Sequence, residues 1–158
     1  MIGVVVVTHG QLATELVNAA ETIVGDLPHF SAVSIGWHED VQDARDAIAA
    51  AIERVRQPGG VLLATDMFGG TPSNLGITFL KEDAIEVVTG VNLPMLIKAA
   101  NLPDGQRLTD LARMLREHGR NAIWVASDLL TGSGASGASS ASGASGASSS
   151  GASGGPTE

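Results

Sequence analysis

Three short stretches of this chain carry the side chains able to do chemistry, and each directly follows an apolar run. Thr8-His9-Gly10 follows "IGVVVV". Asp66-Met67-Phe68-Gly69-Gly70-Thr71-Pro72-Ser73-Asn74 comes at the end of the strand-like run "VLLATDMF", and Thr89-Gly90-Val91-Asn92-Leu93-Pro94 at the end of "AIEVVTG". A neutral imidazole is a nucleophile near physiological pH and can carry a covalent group. A carboxylate bonded to one ring nitrogen fixes the tautomer, aims the other nitrogen outward and stabilises the ring when that nitrogen gains a group. Asp66 is the candidate for that role. Glycines let a backbone approach a ligand closely, and helix N-termini offer free N–H groups to phosphate. Thr71 and Ser73 supply hydroxyls for a phosphoryl oxygen. Together these residue types describe a site for phosphate on His9, with Gly10, Gly69, Gly70, Thr71, Ser73 and Asn92 as its candidate phosphoryl contacts.

Each residue also has an ordinary role. A histidine after a strand can be a hydrogen-bonded loop residue, an aspartate there can cap a helix, and Gly-Gly-Thr-Pro-Ser-Asn is common turn chemistry. The remaining histidines are weaker candidates. His38, in "GWHEDVQD", follows another apolar run and can flank the site, but its spacing matches no metal-ligand motif. His29 sits in a turn after Pro28, and His118 in the last turn of a helical pattern. No P-loop and no Gly-x-Gly-x-x-Gly fingerprint is present, so a nucleotide is not indicated.

The residues acquire meaning only if the fold brings the three stretches together. Apolar runs alternate with helical patterns along the chain. "QLATELVNAAETIVG", "EDVQDARDAIAAAIERV", "PSNLGITFLK", "PMLIKAANL" and "QRLTDLARMLREHG" read as helices, the last stopping at Gly119. "HFSAVSI" reads as a strand, and "AIWVASDLL" as a final one. The order β-α-β-α-β-α-β-α-α-β predicts an α/β fold, a mainly parallel sheet with helices on both faces. Working sites in such sheets lie at the carboxyl ends of the strands. All three stretches fall there.

Composition sets the limits. From Gly132 the sequence is nearly all Gly, Ser and Ala, with Glu158 its only charge. Residues 132–158 are expected to be a disordered tail, because nothing there offsets the entropy of ordering. Residues 1–131 are expected to be one domain. The chain has no cysteine, which excludes disulfides and thiolate sites. The net charge of −8 becomes −7 without Glu158. Nucleic acid is therefore a poor partner; the acidic surface either steers a basic protein partner or, the plainer reading, only keeps the protein soluble. The first apolar run is too short for a membrane span and no basic residues precede it, so a cytoplasmic protein is expected.

These motifs resemble the IIA component of the mannose-family sugar phosphotransferase system (PTS). "VVVVTHGQLA", "TDMFGGTPSN" and "VTGVNLPML" carry the resemblance, in order and spacing, along essentially all of Met1 to Leu130. It implies a flavodoxin-like fold whose last strand is antiparallel and commonly exchanged across a homodimer. It implies a phosphotransferase whose phosphohistidine is His9, phosphorylated on Nε2 by the phosphocarrier protein HPr and supported by Asp66. Thr71 takes the place of the family's phosphate-facing hydroxyl, and Gly90, Val91, Asn92 and Pro94 its Gly-Val-Asn-x-Pro stretch. The acceptor is a IIB component, here expected on a separate chain. Contact with the membrane is indirect, through the permease components, and neither metal nor cofactor is expected. Two alternatives stay open: a regulatory PTS protein that senses phosphorylation state without sugar transport, and the phosphotransfer subunit of a dihydroxyacetone kinase.

Overall fold

The computed structural model describes residues 1–131; the tail expected over 132–158 lies outside the described residues. The chain divides into a unit spanning Met1–Ile123 and a second beginning at Trp124. Within the first, the elements are β1 (Gly3–His9), α1 (Leu12–Val24), β2 (Phe30–Ile35), α2 (Val41–Val55), β3 (Val61–Thr65), α3 (Thr71–Ile77), β4 (Ile85–Thr89), α4 (Leu93–Ala99) and α5 (Leu108–Asn121). The four strands form one parallel sheet in the order β2-β1-β3-β4. This is the flavodoxin-like order, with its switch between β1 and β3.

The valine run of β1 explains how two layers are held. Val4 to Val7 are all 0 % exposed. Successive strand side chains point to opposite faces. Val4 and Val6 therefore join a core with Leu62, Leu96, Leu111 and Leu115, on the side of α1, α4 and α5. Val5 and Val7 join Ile48, Ile52, Leu63 and Leu75, on the side of α2 and α3. Thr8 continues the first face: its Oγ1 accepts the Ala13 N–H at 2.6 Å and anchors the first turn of α1. The Asp40 carboxylate starts α2 by accepting the N–H groups of Gln42 and Asp43 at 2.8 and 3.3 Å.

Two expectations are corrected. Gly119 does not stop the last amphipathic helix, which runs on to Asn121. A Cβ at Gly119 would stand 2.9 Å from Met95 Cε and 3.2 Å from Asn92 Oδ1, so this glycine serves the close approach of α4 to α5. The second correction concerns the final strand expected over "AIWVASDLL". No strand forms there; Ala126–Leu130 is a short helix, α6, in the second unit. A lone strand leaves its backbone groups without partners, whereas a helical turn pairs its own. Ile123, Trp124, Val125, Leu129 and Leu130 remain exposed.

The two-layer core makes a direct prediction. Leu63 is 0 % exposed in the layer under α2 and α3. Leu63→Ala should cost about 2–5 kcal/mol of unfolding free energy, read from urea titration.

Candidate functional site

The alternation that buries Val5 and Val7 also places His9 on the α3 side of the sheet. Its strand neighbour on one side is Ile35, whose carbonyl accepts the Gly10 N–H at 2.8 Å. Gly10 has φ +56°, a conformation that lets the chain turn at once into α1. On the other side β1 runs beside β3, with Val7 opposite Thr65. Asp66 is the next residue of the chain, so strand pairing alone brings it to His9.

The contact is double. Asp66 Oδ2 lies 2.7 Å from His9 Nδ1 and also accepts the His9 backbone N–H at 2.9 Å. Its other oxygen accepts the Met67 N–H at 2.9 Å. The Asp66 side chain is 13 % exposed and that of His9 51 %. Burial pushes the Asp66 carboxyl up, but the bonds from the His9 backbone, the His9 ring and the Met67 N–H outweigh it and hold it below the usual carboxylate range. An ionised carboxylate only accepts, so Nδ1 carries a proton, and in the neutral ring Nε2 holds the lone pair. Among the described residues Nε2 has no hydrogen-bond partner.

The Gly-Gly turn fits around this ring. A Cβ at Gly70 would lie 2.7 Å from His9 Cε1 and 3.2 Å from Nε2, so only glycine leaves the imidazole its place. Gly69, at φ +85°, donates its N–H to Ser73 Oγ at 2.9 Å. Ser73 Oγ in turn donates to the Gly70 carbonyl at 3.3 Å. Ser73 is fully buried and spends its hydroxyl on this turn, while Thr71 is exposed at the start of α3. Asn92 is likewise engaged. Its Oδ1 accepts the Met95 N–H at 3.1 Å as the cap of α4, and its Nδ2 donates to the Gly119 carbonyl at 2.9 Å.

The sheet thus brings His9, Gly10, Asp66, Gly69 and Gly70 together, with Thr71 one residue beyond Gly70. Gly10, Ser73 and Asn92 have their polar groups committed to the loops that hold the site. His38 is exposed in the loop after β2, at the same edge. His29 lies at the opposite end, where its carbonyl accepts the Val4 N–H. Two residues of these stretches were given no role by the sequence alone: Thr8, which anchors α1, and Met67, whose backbone helps hold Asp66 ionised. Thr8 had a signal in being a polar residue within a buried run; the Met67 amide had none.

Comparison with known proteins gives the chain's family and fold. A family model described as "EIIA-man: PTS system fructose IIA component" matches residues 3–115. The PTS system fructose-specific EIIA component of Bacillus subtilis (strain 168) is 30 % identical over 131 residues, covering 82 % of this chain and 90 % of that protein. The PTS system sorbose-specific EIIA component of Lacticaseibacillus casei is 34 % identical over 122 residues, covering 72 % of this chain and 86 % of that protein. The crystal structure of phosphotransferase system component EIIA from Streptococcus agalactiae superposes with a TM-score of 0.72 at 24 % identity, over 80 % of this chain and 98 % of that one. That likeness establishes the fold.

Asp66 gives the site a pH signature. A carboxyl held lower in the folded than in the unfolded chain stabilises the fold above its unfolded pKa, near 3.9. That contribution is lost as pH falls through the folded value. Asp66→Asn should therefore destabilise the protein at pH 7, and the gap to wild type should shrink below about pH 4. Urea unfolding at both pH values checks this.

Proposed function

The chain belongs to the EIIA-man family of PTS IIA components, phosphotransferase-type proteins of sugar phosphotransfer, and from that premise we propose that it is a phosphocarrier acting through His9. It accepts a phosphoryl group from phospho-HPr and passes it to a IIB component for sugar uptake and phosphorylation. The observation that carries this reading is the 2.7 Å contact between His9 Nδ1 and Asp66, which leaves Nε2 as the nucleophile.

The steps balance without a net proton. The Nε2 lone pair attacks phosphorus of the donor's phosphohistidine. A new N–P bond forms at His9 while the donor's N–P bond breaks, its electron pair returning to the donor ring. The positive charge that the His9 ring gains is stabilised by the adjoining Asp66 carboxylate. Transfer to IIB repeats the exchange in the other direction. Positioning and charge stabilisation carry phosphoryl transfer of this kind, with no metal invoked. The phosphoryl oxygens are served by the N–H of Gly70 and by Thr71, while Gly10, Gly69, Ser73 and Asn92 act by shaping the loops. The protein works in the cytoplasm, reaching the membrane only through its permease partners.

The same reading includes a homodimer. β4 is the edge of the sheet beyond β3. A groove of about 380 Å³ runs beside it, lined by Val87, Val88, Thr89, Ala112 and Arg116. On the other face a second groove, about 410 Å³, is lined by Ile52, Phe79 and Ile85. An open strand edge with a mixed polar and apolar groove, including Glu86, Thr109 and Arg113, on one face and a mainly apolar groove on the other is suited to a further strand from a second copy. Exposed Ile123, Trp124 and Val125 have the side chains for it. Sedimentation equilibrium should return twice the mass of one chain; the mass of a single chain overturns the dimer.

Incubation with phosphoenolpyruvate, enzyme I and HPr tests the phosphocarrier. Wild type should take an acid-labile, alkali-stable label, and His9→Ala none. Asp66→Asn should slow the transfer by about 10–100-fold, the usual loss when a ring's supporting partner is removed. Undiminished labelling of His9→Ala rejects the proposal.

A further inference from the structure

The chain has four methionines and no cysteine. Thioethers are therefore its only side-chain sulfur, and a thioether can be oxidised reversibly. The methionines differ in access. Met95 is 3 % exposed, and Met114 is partly buried against the same core. Met1 is exposed, but it stands before β1, at the opposite end of the sheet from His9. Met67 is 55 % exposed and directly follows Asp66.

The site holds Met67 close to the imidazole. Its backbone N–H donates to Asp66 Oδ1 at 2.9 Å. Its side chain reaches the Gly-Gly turn. A Cβ built on Gly70 would meet three atoms: His9 Cε1 at 2.7 Å, His9 Nε2 at 3.2 Å and Met67 Cγ at 3.7 Å. The ring edge that carries Nε2 and the stem of the thioether thus border one small space, kept open by a glycine. The sulfur is bonded directly to that Cγ.

We propose that Met67 is a reversible oxidation site, and that its sulfoxide suppresses phosphoryl transfer at His9. The inference rests on the phosphocarrier reading of His9. The oxidant is a peroxide. The thioether sulfur attacks one peroxide oxygen, and the S–O bond forms as the O–O bond breaks. The proton on the transferred oxygen passes to the departing one, which leaves as water. Sulfur loses two electrons and the peroxide gains them. A thioether offers soft apolar surface to the space beside Nε2, whereas a sulfoxide offers a partly negative acceptor. A phosphoryl group on Nε2 brings negative oxygens to the same space, so the new oxygen opposes the group in transfer. The neutral ring also has no hydrogen on Nε2 to give that oxygen. Only the protonated ring can, and there the lone pair is gone. Both effects act in one direction. A thiol-dependent sulfoxide reductase removes the oxygen as water and restores the site.

Treatment of the whole protein with hydrogen peroxide tests the proposal, the peroxide being removed before HPr is added. Peptide mass spectrometry reads the oxidation, and the rate of transfer from phospho-HPr reads its effect. Met67 should gain an oxygen well before Met95. The wild-type rate should fall by about ten-fold as Met67 converts, with the thermal midpoint unchanged. Sulfoxide reductase with dithiothreitol should restore it. Each variant is compared with its own untreated sample. Met67→Leu should lose little rate on treatment, and Met114→Leu as much as wild type. Met67→Gln, with a polar group in the same place, should be slower than wild type before any treatment. Met67 oxidised at an undiminished rate, or Met67→Leu as sensitive as wild type, overturns the switch and leaves the role of His9 intact. So does a rate lost only together with the thermal midpoint. Met67 as resistant as Met95 overturns the oxidation site itself. An untreated wild type that takes no phosphoryl group overturns the reading of His9, and this inference with it.

Discussion

The pair formed by Asp66 and the His9 ring is the interaction on which the rest of the site depends. One carboxylate oxygen takes both the ring Nδ1–H and the backbone N–H of the same histidine. That double hold fixes the tautomer and the ring's position at once. The partners are 57 residues apart in sequence. Only the direct pairing of β1 with β3 brings them together, and that pairing requires β2 to lie on the far side of β1. The switch in strand order is thus the topological condition for the chemistry.

The other constraints follow from strand parity. Four consecutive buried valines serve two cores because alternate side chains face opposite layers. The same count sends Thr8 toward α1 and His9 toward α3, so a one-residue slip would exchange their tasks. On the α3 side the ring meets a backbone without a Cβ, at Gly70. Ser73 closes the turn from beneath, and Asn92 joins the neighbouring loop to the end of α5. The residues around His9 divide by their hydrogen bonds into those that hold loops in place and those left open to a ligand.

Much of this was legible in the residues. "IGVVVV" and "VLLATDMF" read as strands covered on both faces, and the loops at their ends put His9 and Asp66 on one edge. What escaped has physical reasons. Gly119 was read as a helix stop because the conformational freedom of glycine and its need at close helix contacts look alike in sequence; Met95 and Asn92 decide between them. "AIWVASDLL" has strand composition, but a strand exists only with a partner edge, and the pairing partner is not encoded locally. Ser73 and Asn92 bear groups fit for phosphate, and nothing in their types foretold that the turn and the cap would use those groups first. The Met67 side chain drew no notice within its motif, since its exposure and its place at the Gly-Gly turn are properties of the folded chain.

The central claim is that Asp66 reserves Nδ1 and leaves Nε2 for phosphorus. Nitrogen-15 NMR of the His9 ring, before and after phosphorylation through phosphoenolpyruvate, enzyme I and HPr, reads both nitrogens directly. The account predicts a protonated Nδ1 and a bare Nε2 in the free protein, then a phosphorus coupling at Nε2 with Nδ1 still protonated. A phosphoryl group on Nδ1, or a free protein with its proton on Nε2, would contradict it.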